Sequence, residues 1–113
     1  MSKRETKLYV SDVIEAIDKI FQYTKELSYG EFCANNMVID AVVRNITIIG
    51  EATDNVPAEI KKTHSDIPWR KIKDMRNTII HEYFGVDKKV LWKTIQNDLS
   101  PLKRQIAELI DEI

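Results

Sequence analysis

The sequence predicts an all-α protein that folds as an up-and-down helical bundle. Only three glycines and three prolines occur in 113 residues, which is few for a sheet protein with many turns. Apolar residues recur every three or four positions through long segments without turn signals, which is the period of an amphipathic helix. Because 43% of the residues are apolar, the chain can close one modest core. We therefore expect a single domain over residues 1–113.

The first long helix is predicted from about residue 7 to residue 27. Its apolar positions repeat at helical spacing, with charged residues between them. These positions are Val10, Val13, Ile14, Ile17, Ile20 and Phe21. Ser28 is then followed three residues later by Glu31, which is the pattern of a capping box. A short helical turn should therefore open at this point and run through Cys33.

A second long helix is predicted from about Asn36 to Asn55. Its expected inward positions are Val38, Ala41, Val42, Ile46, Ile49 and Ala52. Asp40, Arg44, Thr47 and Glu51 lie at offsets of four, seven and eleven, so they form a polar stripe along one side of the helix. Ordinary surface ion pairing is the favoured interpretation of this stripe, and the wall of a site is the alternative.

A third long helix is predicted from about Pro68 to Tyr83. Proline suits a first helical position, and Gly85 has the backbone freedom typical of a helix end. Ser65 or Asp66 is the expected cap of this helix. Between the second and third long helices, Pro57 breaks the chain and leaves room for one further turn of helix.

The last 26 residues form a final helical region. Asp87 is expected to cap a helix that begins at Lys88. The apolar residues keep helical phase across Ser100 and Pro101 as far as Ile113. Because proline removes a backbone donor and bends a helix, this region should be one kinked helix or two stacked helices.

Composition narrows the class of protein. The chain has no apolar run of 18 residues, and its first residues lead into an amphipathic segment rather than a signal-peptide core. We expect a cytoplasmic protein that makes no membrane contact. Cys33 is the only cysteine, which excludes an internal disulfide and a cysteine-rich zinc site.

Charge is unevenly distributed along the chain. The net charge of −1 gives no overall attraction to nucleic acid. Between residues 61 and 76, however, the sequence has six basic residues and only two acidic ones, Asp66 and Asp74. The six are Lys61, Lys62, Arg70, Lys71, Lys73 and Arg76. A solvated helix face and a local anion-binding surface both fit this cluster.

Arg76 is the unusual residue of the third long helix. It falls in the middle of an apolar stripe, whose members are Trp69, Ile72, Ile79, Ile80 and Tyr83. Arginine keeps its charge in any protein site, so burial at this position is costly unless the guanidinium is paired. Two interpretations stay open: an ion pair with a neighbour such as Glu51 or Asp40, or a place in a cleft that binds a phosphate or carboxylate.

His81 follows Arg76 by five residues, which is about 140° around a helix. The two side chains therefore leave different faces within one subunit, whereas Asn77 and His81 share one. Pairing two copies of this helix would gather two arginines and two histidines around one cleft. Histidine can move protons near neutral pH, and arginine can stabilise a phosphate, so RNA cleavage there needs no metal. The alternative for His81 is a histidine stabilised by the negative end of the helix dipole.

The sequence segments around Arg76 and His81 resemble those of a known protein family. They include MRNTIIHEYFGVD over residues 75–87 and shorter matching runs at residues 41–45, 48–52, 67–72, 92–95 and 98–102. In order and spacing these runs strongly resemble the HepT-like branch of the HEPN (higher eukaryotes and prokaryotes nucleotide-binding) families. The resemblance covers nearly the whole chain.

The resemblance implies a four- to five-helix, homodimeric, HEPN-like bundle that acts as an RNA-cleaving toxin without a cofactor or metal. Arg76 and His81 would be catalytic, and Asn77 would be the supporting polar residue that follows the motif arginine. Tyr83 completes the extended Arg-x4-His-x-Tyr motif. In toxin pairs of this type, a minimal nucleotidyltransferase antitoxin is thought to transfer AMP to that tyrosine. Whether the dimer assembles further with this antitoxin into a hetero-oligomer stays open at this level.

Two other functions remain open at this level. The same cleft could belong to a non-catalytic module that binds nucleotide or docks the nucleotidyltransferase. Alternatively, the chain could be a helical helper of that enzyme, with Tyr83 only a contact or acceptor residue. His64, the other histidine, lies in a connector and is expected to be a surface residue rather than a second catalytic base.

Overall fold

The computed structural model describes the backbone of residues 3–81 and 87–113 and the side chains of residues 5–79 and 87–113. Within these ranges the structure is helical and contains no strand. The elements are α1 (Lys3–Thr24), α2 (Tyr29–Cys33), α3 (Asn36–Asp54), α4 (Ala58–Thr63), α5 (Trp69–His81), α6 (Lys88–Lys93), a π-helical segment (Thr94–Asp98) and α7 (Leu99–Glu112). The all-α prediction is confirmed.

The long helices pack in the spatial order α5, α3, α1, α7, with α2 against α3. Along the α1–α3 contact, Lys19 lies near Asn45, and Tyr9 lies near Asn55, so these two helices run antiparallel. This arrangement is the connectivity that an up-and-down bundle requires. The core between the helices is built mainly from isoleucine, valine and leucine. Its fully buried members include Val13, Ile17, Ile20, Val42, Ile46, Ile49, Leu99 and Ile106.

Helix α3 is buried over a wider arc than its sequence predicts. Four of its predicted inward residues are buried, whereas Val38 and Ala41 are only half-buried. Ile39, Asn45, Gly50 and Thr53 are buried as well. The reason is that α3 lies between α1 on one side and α5 on the other, so a single apolar stripe does not describe its contacts.

The helix caps largely match the sequence. At α2, the backbone N–H of Ser28 donates to Glu31 Oε1 at 3.0 Å, and the N–H of Glu31 donates to Ser28 Oγ at 3.2 Å. At α6, Asp87 Oδ1 accepts from the N–H groups of Lys89 and Val90, each at 3.1 Å. Both predicted caps are confirmed.

The start of α5 differs from the prediction. The helix begins at Trp69, and the N–H of Ile72 donates to the Pro68 carbonyl at 3.0 Å. The backbone carbonyl of Asp66 accepts from Gln105 Nε2 of α7 at 3.0 Å, and the capping of α5 by Ser65 or Asp66 stays a prediction. The predicted end of this helix at Tyr83 and Gly85 lies outside the described residues.

The C-terminal region is a helix interrupted by one π-helical turn. The N–H of Leu99 donates to the carbonyl of Thr94, five residues earlier, just before Pro101. Proline has no N–H and crowds the carbonyl of the fourth residue before it, which is Asn97. The wider turn accommodates this crowding, so the irregularity precedes Pro101 rather than falling at Ser100 and Pro101.

No helix within the described ranges is both long enough and apolar enough to cross a bilayer.

Candidate functional site

The inner face of α5 carries Arg76 among apolar residues, as the sequence predicts. Ile72 and Ile79 are buried and Trp69 is half-buried. Arg76 lies between them, with 28% of its side chain exposed. This face packs against α3, so Arg76 is held between two helices and is not free in solvent.

Gly50 of α3 creates the space for Arg76. A Cβ built on Gly50 would lie 2.9 Å from Arg76 Cγ and 3.1 Å from Arg76 Cβ, and closer still to Arg76 Cδ. Real Cβ atoms essentially never approach other atoms to less than 3.0 Å. Only glycine therefore lets the arginine stem lie flat against the backbone of α3. Gly50 was not singled out as a site residue, although a glycine inside an apolar helix signals a close approach.

The guanidinium of Arg76 is only partly satisfied. Its Nη1 lies 3.5 Å from Asp54 Oδ2, a long contact with a carboxylate that is 44% exposed. Its Nε is shielded from solvent and has no hydrogen-bond partner among the described residues. A guanidinium has five N–H donors, and the described residues supply only the long contact of Nη1 with Asp54, so donors on Nη1 and Nη2 can serve an anionic ligand.

Asp54, rather than Glu51 or Asp40, is the carboxylate next to Arg76. The expected partners were wrong because of their rotation around α3. Gly50 and Asp54 are four residues apart and share the face that meets α5, whereas Glu51 is about 100° further round. Asp40 and Glu51 are exposed.

The polar stripe of α3 is largely exposed, but no ion pair of its members is seen among the described residues, so the predicted ion pairing stays a prediction. Asp40, Arg44 and Glu51 are exposed to solvent. Thr47 is half-buried, and its hydroxyl donates to the carbonyl of Val43 at 3.0 Å. The stripe does not contact Arg76, whose carboxylate neighbour is Asp54.

The structure describes the other predicted site residues to different extents. Asn77 is half-buried on α5, directly after Arg76. His81 is the last residue of α5, and its side chain lies outside what the structure describes. Tyr83 lies wholly outside the described residues. The structure therefore brings Arg76 together with Gly50 and Asp54, and the functional roles of Arg76, Asn77, His81 and Tyr83 stay predictions.

His64 differs from its expected surface position. Its side chain is only 17% exposed, and Nδ1 lies 3.2 Å from Glu112 Oε2 at the end of α7. Its backbone carbonyl accepts from Trp69 Nε1 at 3.1 Å. The connector before α5 is thus held against α7, which explains why a residue in a short loop is largely covered.

The described residues hold no cluster typical of a metal site. Within the described residues, no three His, Cys, Asp or Glu side chains lie close enough together to hold a metal ion. Metal-independent chemistry stays a prediction that rests on the arginine and histidine of the motif.

Sequence comparisons add independent findings. A sequence model of the family described as "Ribonuclease HepT-like" matches residues 13–109. A probable ribonuclease HepT of Thermococcus cleftensis is 43% identical over 95% of this chain and 97% of its own length. A putative RNase of Methanocaldococcus jannaschii is 35% identical over 100% of this chain and 93% of its own length. Another, of Caldanaerobacter subterraneus, is 34% identical over 92% and 93%, respectively. No solved structure gives a significant match.

Proposed function

The chain belongs to the ribonuclease HepT-like family, and on this premise we propose that it is a metal-independent RNA endonuclease, the toxin of a toxin-antitoxin pair. The names of the family and of the relatives support RNA cleavage. The observation that carries the proposal is the under-satisfied guanidinium of Arg76, fixed across Gly50 by the packing of two helices. Such a toxin acts on transcripts in the cytoplasm, the location expected from the sequence.

Arg76 binds the scissile phosphate in this proposal. A fork of N–H donors matches two phosphate oxygens and stabilises the charge that builds on them in the transition state. Because the arginine stem is packed on α3, the guanidinium needs little reorganisation when the substrate arrives. Asn77, the next residue, supports the substrate from the adjoining surface of α5.

His81 supplies the proton transfers. Its backbone position is about 140° around α5 from Arg76, so one subunit alone directs the two side chains differently. A homodimer that pairs the C-terminal ends of two α5 helices places Arg76 of one copy near His81 of the other. This arrangement gives two histidines to one cleft, one as base and one as acid.

The reaction balances without a cofactor. One neutral imidazole takes the proton of the ribose 2′-hydroxyl, and the 2′-oxygen attacks phosphorus. The bond from phosphorus to the 5′-oxygen breaks, and an imidazolium gives its proton to that leaving oxygen. The products are a 2′,3′-cyclic phosphate and a 5′-hydroxyl.

The test is cleavage of a defined RNA by the purified chain in excess EDTA. We expect cyclic-phosphate ends, no cleavage where the target 2′-hydroxyl is replaced by hydrogen, and loss of at least about 100-fold in rate in Arg76→Ala and in His81→Ala. Glu51→Gln, on the exposed stripe of α3, is the matched surface control. Cleavage that survives both substitutions would overturn the assignment. Binding of nucleotide without any cleavage would instead support the non-catalytic module.

Regulation by a minimal nucleotidyltransferase antitoxin is the second part of the proposal. Tyr83 follows Arg76 by seven residues, which returns to the same side of a helix about 10.5 Å along its axis. An AMP group joined to the Tyr83 hydroxyl would bring a negative charge towards Arg76 and obstruct the RNA site. The antitoxin and the toxin dimer would then form a larger hetero-oligomer.

Mass spectrometry after co-expression with the neighbouring nucleotidyltransferase tests this regulation. The wild-type chain should gain the mass of AMP at Tyr83 and lose RNA cleavage, and Tyr83→Phe should gain none. Tight binding of the two proteins without modification would contradict AMP transfer and favour a helper role for this chain.

A further inference from the structure

An open groove of about 450 Å³ lies beside Arg76, between the C-terminal end of α3, helix α4 and the outer side of α5. We name it the α4–α5 groove. It is lined by Thr53, Asp54, Lys61, Trp69, Arg70, Lys73, Asp74 and Asn77. Asp54 also contacts Arg76, so the groove ends at the candidate site.

Of the six basic residues between positions 61 and 76, Lys61, Arg70 and Lys73 line the groove. Arg70, Lys73 and Asn77 follow at offsets of three and four, so they form one line along α5 that leads towards the motif. Lys71 lies on another side of the helix, where its Nζ is 3.6 Å from Asp98 Oδ1. Three of the six basic residues therefore face one surface, and this surface ends at Arg76.

The positive charge of the groove is only partly offset by its two carboxylates, Asp54 and Asp74. Lys61 Nζ lies 5.7 Å from the centroid of the Trp69 ring, which attracts the cation without cancelling its charge. Among the described residues, no carboxylate lies within ion-pair distance of Lys61, Arg70 or Lys73. Counting Arg76, four cationic side chains and two carboxylates, Asp54 and Asp74, lie along this surface. The surface is therefore locally positive, although the net charge of the whole chain is −1. An extended polyanion fits this surface.

We propose that the α4–α5 groove binds the ribose-phosphate backbone of single-stranded RNA next to the phosphate held by Arg76. Lys61, Arg70 and Lys73 contact successive phosphates, and the half-buried indole of Trp69 offers an aromatic surface for a base. A single strand fits because its sugar can turn the 2′-oxygen into line with the leaving 5′-oxygen, whereas a duplex restrains it. The inference deepens the proposed function and rests on it for the direction of the strand towards Arg76.

Binding of a fluorescent 2′-O-methyl oligoribonucleotide, which cannot be cleaved, measures this contact apart from catalysis. The groove variant is Lys61→Gln with Arg70→Gln and Lys73→Gln. The matched control is Lys62→Gln with Lys71→Gln and Lys103→Gln, which removes the same total charge. Circular dichroism checks that both variants fold.

The salt dependence of oligonucleotide binding measures how many phosphate contacts the groove makes. Each lost phosphate contact lowers the slope of log affinity against log salt by about 0.7, so the groove variant should lose about 2. Its affinity should fall on the order of 100-fold at about 50 mM salt, and the control should change far less. Equal losses in the two variants would overturn the groove, because they would indicate a non-specific charge effect. Equal binding of duplex RNA, or competition by AMP alone as strong as by the oligonucleotide, would overturn the single-strand assignment.

The two proposals fail in different ways. A wild-type chain that cleaves RNA, with a groove variant that binds and cleaves as the control does, would overturn the groove and leave the ribonuclease intact. A chain that binds the oligonucleotide through the groove but never cleaves RNA would overturn the ribonuclease and leave the groove intact.

Discussion

The side chain of Arg76 crosses α3 at Gly50, where its Cγ and Cβ lie 2.9 and 3.1 Å from the position that a Cβ of residue 50 would take. A close approach of this kind needs a glycine in the middle of a helix, where glycine costs about 0.5–1 kcal/mol relative to alanine. The cost is offset by the fixed position of the arginine stem. Gly50 is therefore a positioning residue in our account.

Gly50→Ala should displace Arg76. The added methyl group overlaps the arginine stem, and overpacking costs about 1–3 kcal/mol, less about 0.5–1 kcal/mol gained from helix propensity. We expect a net loss of up to about 2.5 kcal/mol in the free energy of unfolding, measured with urea. The rate of RNA cleavage should fall about 100-fold, because a phosphate-binding group has moved.

Gly30→Ala is the control for this substitution, since a Cβ on Gly30 meets nothing within 4 Å. Cleavage should stay close to wild type, and stability should be unchanged or higher by up to about 1 kcal/mol, because Gly30 also lies in a helix. A Gly50→Ala protein that matches Gly30→Ala in both measurements would show that the contact with Arg76 positions nothing.

Asp54→Asn should have a small effect on stability and a favourable effect on RNA binding. The contact between Asp54 and Arg76 is 3.5 Å long and partly exposed, so its loss should cost less than about 1 kcal/mol. Removing one negative charge about 6 Å from a bound phosphate lowers repulsion enough for about threefold tighter binding. Fluorescence anisotropy with the uncleavable oligonucleotide measures this change. Weaker binding by Asp54→Asn would mean that the carboxylate orients Arg76 rather than competing with the substrate.

The capping box of α2 predicts a pH dependence away from the site. The carboxylate of Glu31 accepts the backbone N–H of Ser28, and this hydrogen bond holds its pKa below the ordinary value. A lowered pKa in the folded state gives stability that is present above the unfolded pKa of about 4.3 and is lost as pH falls through the folded pKa.

Thermal unfolding of Glu31→Gln checks this sign. The substitution should lower Tm at neutral pH, and the gap to wild type should close below about pH 4, where the wild-type carboxyl takes up a proton. Glu108→Gln, an exposed carboxylate outside the caps, serves as the control. A gap that stays constant down to pH 3 would contradict the role of the ionised Glu31.

The helices were predictable because each is specified by residues close together in sequence. Apolar spacing predicted α1 and α3, and the side-chain caps Ser28 and Asp87 predicted the starts of α2 and α6. The placement of Arg76 in an apolar stripe followed from the same periodicity. Each of these features depends on neighbours within one or two helical turns.

The contacts around Arg76 were not predictable in the same way. Gly50 and Arg76 are 26 residues apart in the sequence, and their contact depends on how α3 rotates against α5. A rotation of about 100° distinguishes Glu51, the expected partner, from the face that carries Gly50 and Asp54. The covered position of His64 likewise follows from tertiary packing against α7.

Subunit mixing shows whether Arg76 of one copy acts beside His81 of the other. Arg76→Ala and His81→Ala chains, carrying different tags, are co-expressed and purified through both tags, and RNA cleavage is measured in EDTA. The two homodimers should be inactive, and the heterodimer should cleave measurably faster than either homodimer but well below wild type, because its one intact arginine-histidine pair keeps only one of the two proton-transfer groups. A purified heterodimer as inactive as either homodimer, beside an active wild type, would contradict the shared cleft.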